Sequence, residues 1–160
     1  MSKATFTGYT VEIKGLDETL NWLKHVDPKL ERAMKKGLKQ AMEPALKRAR
    51  ANAEKIRDIN GFYAGSLSVA SRKGGVEWVL KSDDPASGVK EYAKPGAVVV
   101  RSRTNSKRSR TMLALGSRIG VPQGLPPRVM IPAVEDSESD VRERMDAAMA
   151  EVLNEVGKDG

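Results

Sequence analysis

Three short stretches in the first half of the chain alternate apolar with polar residues. Residues Tyr9–Ile13 alternate in this way and predict a half-buried strand that ends at Gly15. The stretches Leu67–Val69 and Val76–Leu80 alternate as well, and the turn-forming residues Arg72–Gly75 between them predict a hairpin. The pattern therefore predicts a small antiparallel sheet.

Apolar residues at steps of three and four predict three helices. A short helix follows the first strand, and a long helix follows Asp27, which is suited to cap it, with Pro28 at its first position. Pro44 removes a backbone donor from the long helix, so we expect a kink or break there. A third helix closes the chain, with Pro132 in its first turn. The three apolar stripes are Leu16, Leu20 and Leu23; Leu30, Met34, Leu38, Ala41, Met42, Ala45, Ala49, Ala53 and Ile56; and Val134, Val141, Met145, Ala148, Met149, Val152 and Val156.

Between the hairpin and the last helix the pattern weakens. Residues 89–93 (VKEYA) and 97–101 (AVVVR) are further strand candidates, and Val129–Ile131 predicts a brief extended piece. The segment Ser102–Pro127 is polar, basic and glycine-containing, which predicts a long loop. A loop of this length is uncommon in a compact domain and is usually functional or ordered by a partner. It contains one apolar island, formed by Met112, Leu113 and Leu115.

Together these elements predict an α+β fold in one domain, residues 1–160. A small antiparallel sheet packs with a long helix kinked near Pro44 and with a C-terminal helix. The loop 102–127 extends from this body, and the tail 157–160 frays. Apolar content of 39% and aromatic content of 4% are both low for a compact domain, which suggests that a partner covers part of the surface.

The net charge of +7 lies in one segment of the chain. Between Arg101 and Arg128 there are seven basic residues and no acidic one, so the remaining chain has 21 basic and 21 acidic residues. Three interpretations are open: the segment contacts acidic surfaces of partner proteins, it contacts DNA, or it is only solvated. The residues proposed for a partner interface are Met112, Leu113, Leu115, Arg101, Arg103, Lys107, Arg108, Arg110 and Arg118, and those for DNA contact are Arg101, Arg103, Arg108 and Arg110.

The absence of aromatic residues from the run RSRTNSKRSR, residues 101–110, weighs against a platform on which bases could stack. The two long helices show a second charge pattern. Residues 29–57 contain ten basic and three acidic residues, whereas residues 135–155 contain eight acidic and two basic ones. The helices are complementary in sign and could pair within one subunit or between neighbouring subunits.

The sequence offers no catalytic or metal-binding pattern. It has no cysteine, and its one histidine, His25, is interpreted as a surface or interface residue. The pair Asp83-Asp84 is interpreted as part of a turn, and no glycine pattern fits a phosphate loop. We therefore expect a non-enzyme without cofactor or metal. A toxin-like or nuclease-like enzyme is the less favoured alternative. The chain lacks a signal-peptide pattern and a run of about 18 apolar residues, which predicts a soluble, intracellular protein when made.

Four segments, in this order, resemble the head-to-tail joining proteins of long-tailed bacteriophages, the gene-product-ten-like group of tail-completion, neck or minor tail proteins. VEIKGLDETLNWL (residues 11–23) resembles the strand and GLDEL-like helix start of that family. AGSLSVAS (64–71) resembles its TGxLxxSI-like turn, and EYAKPGAVVV (91–100) partly matches its YAxxVExGT-like strand. LPPRVMIPAVED (125–136) is similar to its PxPFLxPA element, although Val129 and Met130 replace the aromatic residue.

The resemblance implies a non-enzymatic virion protein that assembles in the host cytoplasm. It implies an α+β subunit of a hexameric ring between the portal assembly and the tail tube, with adjacent neck, connector or tail-terminator proteins as partners. DNA would pass through such a ring. A sequence-independent DNA-binding protein that uses residues 101–128 remains the alternative function.

Overall fold

The computed structural model describes residues 3–58, 62–84, 87–92, 98–99 and 126–158. Within these residues the fold is α+β, as predicted: a four-stranded antiparallel sheet packs against a bent N-terminal helix pair and a C-terminal helix pair. The long basic loop, residues 102–127, lies almost entirely outside the described residues.

The sheet is formed by four of the six strands, in the order β1-β2-β5-β4. Strands β3 and β6 are two residues each and form a separate parallel pair. The strands are β1 (Lys3–Thr7), β2 (Thr10–Lys14), β3 (Arg57–Asp58), β4 (Leu67–Arg72), β5 (Glu77–Ser82) and β6 (Val98–Val99). The predicted hairpin is confirmed: β4 and β5 pair antiparallel, and a 3₁₀ turn at Lys73–Gly75 joins them.

Seven helices of the described chain cover the inner face of the sheet and its ends. They are α1 (Leu16–Val26), α2 (Pro28–Ala41), α3 (Glu43–Glu54), α4 (Phe62–Ser66), α5 (Ser87–Glu91), α6 (Met130–Asp136) and α7 (Glu138–Lys158). Helix α2 packs on α7, and α3 packs on α6. Because α3 follows α2 whereas α6 precedes α7, the two helix pairs run in opposite directions.

The ends of the long helix follow from local chemistry. The Asp27 carboxylate accepts a hydrogen bond from the Lys29 backbone N–H at 2.7 Å, and Pro28 occupies the first turn, so the predicted cap is confirmed. The predicted interruption is also confirmed, since α2 ends at Ala41 and α3 begins at Glu43, next to Pro44.

Three local predictions were wrong or incomplete. The candidate strand VKEYA is not a strand, because residues 87–91 form α5 and its charged side chains are buried in specific contacts. The extended piece at 129–131 is instead the start of a helix at Met130. The C-terminal helix is divided at Ser137 into α6 and α7. Of AVVVR, the structure describes Val98–Val99, which pair with β3.

Two arginines bind the outer strands of the sheet. Arg142 of α7 donates to the carbonyl oxygen of Ala4 in β1 at 3.0 Å, and its guanidinium lies 5.0 Å from the Phe6 ring centre. Arg50 of α3 donates to the carbonyl oxygen of Leu67 in β4 at 3.1 Å. Helix α7 therefore reaches the β1 edge of the sheet, and α3 reaches the opposite, β4 edge.

The core lies between the inner face of the sheet and the helices. Small residues allow close packing there, as the buried Ala45, Ala49 and Ala53 of α3 confirm. The contact between α2 and α7 is tight at Gly37, where an added Cβ would lie 2.9 Å from the Cβ of Ala148. A Cβ atom is held rigidly by its own helix backbone and cannot swing aside, so glycine is the residue that fits at this crossing.

We expect Gly37→Ala to destabilise the fold by roughly 1–3 kcal/mol, because the new methyl group forces α2 and α7 apart. Gly157→Ala is the matched control: Gly157 also lies in a helix, and no atom lies within 4 Å of its added Cβ. Alanine favours helices over glycine, so the control should be neutral or slightly stabilising. Urea unfolding of both variants measures the difference, and equal stabilities would contradict the tight crossing.

Candidate assembly site at the base of the basic loop

None of the nine residues predicted to form a partner or DNA interface lies in the described part of the chain, so those predictions stand untested. They are Arg101, Arg103, Lys107, Arg108, Arg110, Met112, Leu113, Leu115 and Arg118. The structure does describe the chain on both sides of them. Helix α5 and Tyr92 precede the segment, and Pro126 to α6 follow it.

One buried carboxylate joins these two sides. The Glu91 side chain, 3% exposed as a residue, accepts backbone hydrogen bonds from Val129 at 3.1 Å, from Met130 at 2.8 Å and from Ile131 at 3.1 Å. The Glu91 carbonyl oxygen also accepts from the Arg128 N–H at 2.8 Å. We call this set of four hydrogen bonds the Glu91 clamp.

The clamp has a simple physical cause. The first N–H groups of a helix have no partner inside the helix, and they carry partial positive charge. No side-chain oxygen of the preceding residue caps α6, since the residue before it is Val129. The carboxylate of Glu91 supplies the missing acceptors from a distance of 38 to 40 residues along the chain.

A buried ion pair lies beside the clamp. Lys90 Nζ bonds to the Asp84 carboxylate, and both side chains are at most 1% exposed. The Asp84 backbone N–H donates to the Ser82 hydroxyl at 3.0 Å, and that hydroxyl is 2.7 Å from the hydroxyl of Ser66. The pair therefore fixes α5 to the end of β5 and to the α4–β4 junction. Removal of either charge would take away the ion-pair partner of the other, which stays buried.

Tyr63 of α4 completes this polar region. Its ring centre lies 5.1 Å from Lys90 Nζ, close enough for a cation–π contact. Its hydroxyl is buried and has no hydrogen-bond partner in the structure. Burial raises the pKa of the Tyr63 phenol above its usual range, and the carboxylates of Glu91 and Asp84 raise it further. The phenol therefore stays neutral in the folded protein.

Helix α3 also contributes a hydrogen bond to this site. The Asn52 side-chain amide donates to the Val129 carbonyl oxygen at 3.3 Å, and Val129 itself is fully buried. The residues that follow the basic segment are thus bound both to Glu91 and to α3.

The structure also describes the histidine and the aspartate pair considered in the sequence. In the described residues no group of three or more His, Asp or Glu side chains could hold a metal ion. His25 is exposed, with Nδ1 2.7 Å from the Asn21 carbonyl oxygen, which agrees with its interpretation as a surface residue. Asp83 is exposed beside Lys81, whereas Asp84 is the buried partner of Lys90. The two aspartates therefore do not act together.

One signal for this site is present in the sequence but did not enter the prediction. Helix α6 begins after Arg128 and Val129, neither of which can cap a helix, so an acceptor from elsewhere was required. The acidic residue nearest before the basic segment is Glu91. Glu91, Lys90 and Asp84 were not predicted as site residues, because charged residues are seldom buried and a pattern of apolar positions does not report them.

Within the described residues no helix is long and apolar enough to cross a membrane. The chain matched no family in a comparison with models of known protein families, and searches among curated proteins and among solved structures found no match.

We expect Glu91→Gln to lower the free energy of unfolding by roughly 1.5–3 kcal/mol, because hydrogen bonds to a charged acceptor are lost and a buried N–H is left unpaired. Glu151→Gln, at an exposed position of α7, is the control and should change stability by less than about 0.5 kcal/mol. Urea unfolding tests both variants. If both lose the same small amount, the clamp contributes no stability.

We expect Tyr63→Phe to be as stable as the parent protein at pH 7, or up to about 1 kcal/mol more stable, because the lost hydroxyl has no partner. At alkaline pH the difference should grow. The unfolded phenol ionises near pH 10.0 whereas the folded one stays neutral, so the parent protein loses stability as the pH rises above that value.

The variant lacks this loss, which approaches about 1.4 kcal/mol per pH unit. Urea unfolding from pH 8 to pH 11 measures it, with Tyr9→Phe as the control at an exposed tyrosine. A Tyr63→Phe variant whose stability follows the parent at every pH would contradict the buried neutral phenol.

Proposed function

We propose that this chain is a structural subunit of the head-to-tail joining assembly of a long-tailed bacteriophage. In this proposal it forms a ring, taken as hexameric, in the neck of the virion between the portal assembly and the tail. The subunit has no catalytic role. Its basic segment serves as an assembly arm that contacts an adjacent ring or subunit.

One observation carries the proposal: three of the four segments that resemble the phage family meet at the same buried site. The first, residues 64–71, contains Ser66, which bonds to Ser82 and to the Tyr63 carbonyl. The second begins at Glu91, and the third, residues 125–136, contains the N–H groups that Glu91 binds. Short motifs that match by chance have no reason to converge on one site.

The site also gives the basic segment a mechanical role. Glu91, ten residues before Arg101, binds the N–H groups of Val129, Met130 and Ile131 after the segment, so the site ties these two stretches of chain together. The apolar island of the segment can be buried against a partner, at roughly 1.5–3 kcal/mol for each of Met112, Leu113 and Leu115. Its arginines favour approach to an acidic surface.

DNA binding by residues 101–128 is the second candidate, since guanidinium groups among serine and threonine can bind phosphates without reading sequence. The observation in its favour is the concentration of the whole net charge in that segment. Affinity for duplex DNA would then fall steeply as salt is raised.

Deletion of Ser106–Gly116 separates these roles. We expect the variant to keep the unfolding curve of the parent, because the clamp and the core are untouched, and to fail to attach tails to heads in a complementation assay. Electron microscopy should show rings of the purified parent protein. Normal joining by the deletion variant would refute the assembly arm, and the absence of rings would refute the ring subunit.

Two matched variants identify the partner. Met112, Leu113 and Leu115 changed together to Ser should block joining if the arm buries its island in protein. The alternative set changes Arg101, Arg103, Arg108 and Arg110 to Ala. If this set alone abolishes filter retention of duplex DNA and also abolishes joining, while the serine variant joins normally, the DNA-binding function is favoured.

A further inference from the structure

Two exposed surfaces of opposite charge lie on the helices. The first, here called the basic stripe, runs along α2 at spacings of three and four residues and consists of Lys29, Arg32, Lys36 and Lys39. The second, here called the acidic face, lines a shallow depression on α6 and α7 and contains Glu135, Glu138, Glu143 and Asp146. All eight side chains belong to exposed residues.

The charges of these surfaces are largely unused inside the subunit. Of these eight residues, only Glu138 forms an ion pair within the described part of the chain, with Arg142 at 2.7 Å. Helices α2 and α7 do pack together within one subunit, as the sequence allowed. Their contact at Gly37 and Ala148 is apolar, and no ion pair joins α2 to α7 within the described residues.

Helix geometry shows why the charges do not meet. At about 100° per residue, Arg32 and Lys39 lie about 140° and 160° around α2 from Gly37. Glu143 and Asp146 lie about 140° and 160° around α7 from Ala148. These four side chains therefore point away from the place where the two helices touch.

The two helices also lie toward different edges of the sheet. Helix α7 bonds to edge strand β1 through Arg142, whereas α2 and α3 contact β4 at the other edge. Within the described residues no ion pair joins the basic stripe to the acidic face of its own subunit. The stripe can reach the acidic face of a second copy that is placed in the same orientation.

We propose that the basic stripe of one subunit binds the acidic face of a second copy of this chain, head to tail. Repetition of such a contact closes a ring when the rotation between subunits permits it, whereas a two-fold contact would need both surfaces on one side. The inference rests on the proposed ring function and names the surfaces that build the ring. Leu153 adds an exposed apolar group two turns after Asp146 on the same face of α7.

A charge-swap experiment tests the contact. The acid-for-base variant carries Arg32→Glu, Lys36→Glu and Lys39→Glu, and the base-for-acid variant carries Glu135→Lys, Glu143→Lys and Asp146→Lys. Glutamate and lysine have similar helix propensities, so both variants should fold, which circular dichroism checks. Sedimentation velocity of the full chain at low ionic strength measures assembly.

Each variant alone should assemble at least about tenfold more weakly than the parent, because the two contacting surfaces then carry charge of the same sign. An equimolar mixture of the two variants should assemble again, and so should one chain that carries all six changes. In about 1 M salt, where the screening length is about 3 Å, assembly of the parent should weaken.

The contrary outcomes are distinct. If the parent forms rings that neither variant weakens, or if the mixture fails to assemble, the named surfaces are wrong and the ring function stands. If the parent sediments as a monomer at every concentration, both proposals fail. If reversal of the stripe abolishes retention of duplex DNA and leaves sedimentation unchanged, the stripe binds DNA and the second-copy contact is refuted.

Discussion

The bond between the Glu91 carboxylate and the start of helix α6 holds together parts of the chain that are far apart in sequence. It satisfies three backbone donors that would otherwise be buried without partners, which is among the more costly defects in a fold. Helix α6 in turn positions α7, and α7 packs on α2. The C-terminal half of the core thus depends on an acidic residue placed before the basic segment.

The polar groups around Glu91 favour one particular arrangement of α5 against β5 over other compact arrangements. The buried pair of Lys90 and Asp84 contributes little net stability compared with apolar residues of the same volume, since both charges lose their hydration. It does restrict the register of α5 against β5, because a shift would separate the Lys90 ammonium group from the Asp84 carboxylate. Tyr63 packs on the same lysine.

Much of the fold could be predicted from the sequence because its signals are local. The cap at Asp27, the break at Pro44 and the β4–β5 hairpin depend on neighbours within a few residues, and all were confirmed. Strand β1 was missed because KATFT has only two strongly apolar positions and no turn marks its start. The strand predicted at VKEYA failed because Lys90 and Glu91 are buried for their charged contacts, not for apolar surface. The Glu91 clamp spans about forty residues, and no local pattern reports a contact of that range.

The arginines at the two sheet edges limit how the protein can associate through its sheet. An open strand edge invites any similar strand to add to it, and such growth has no natural end. Arg142 and Arg50 occupy carbonyl groups on β1 and β4, so an incoming strand would have to displace a charged donor at either side. The two sheet edges are therefore poor templates for strand addition, so concentrated protein should not grow into extended sheets through β1 or β4.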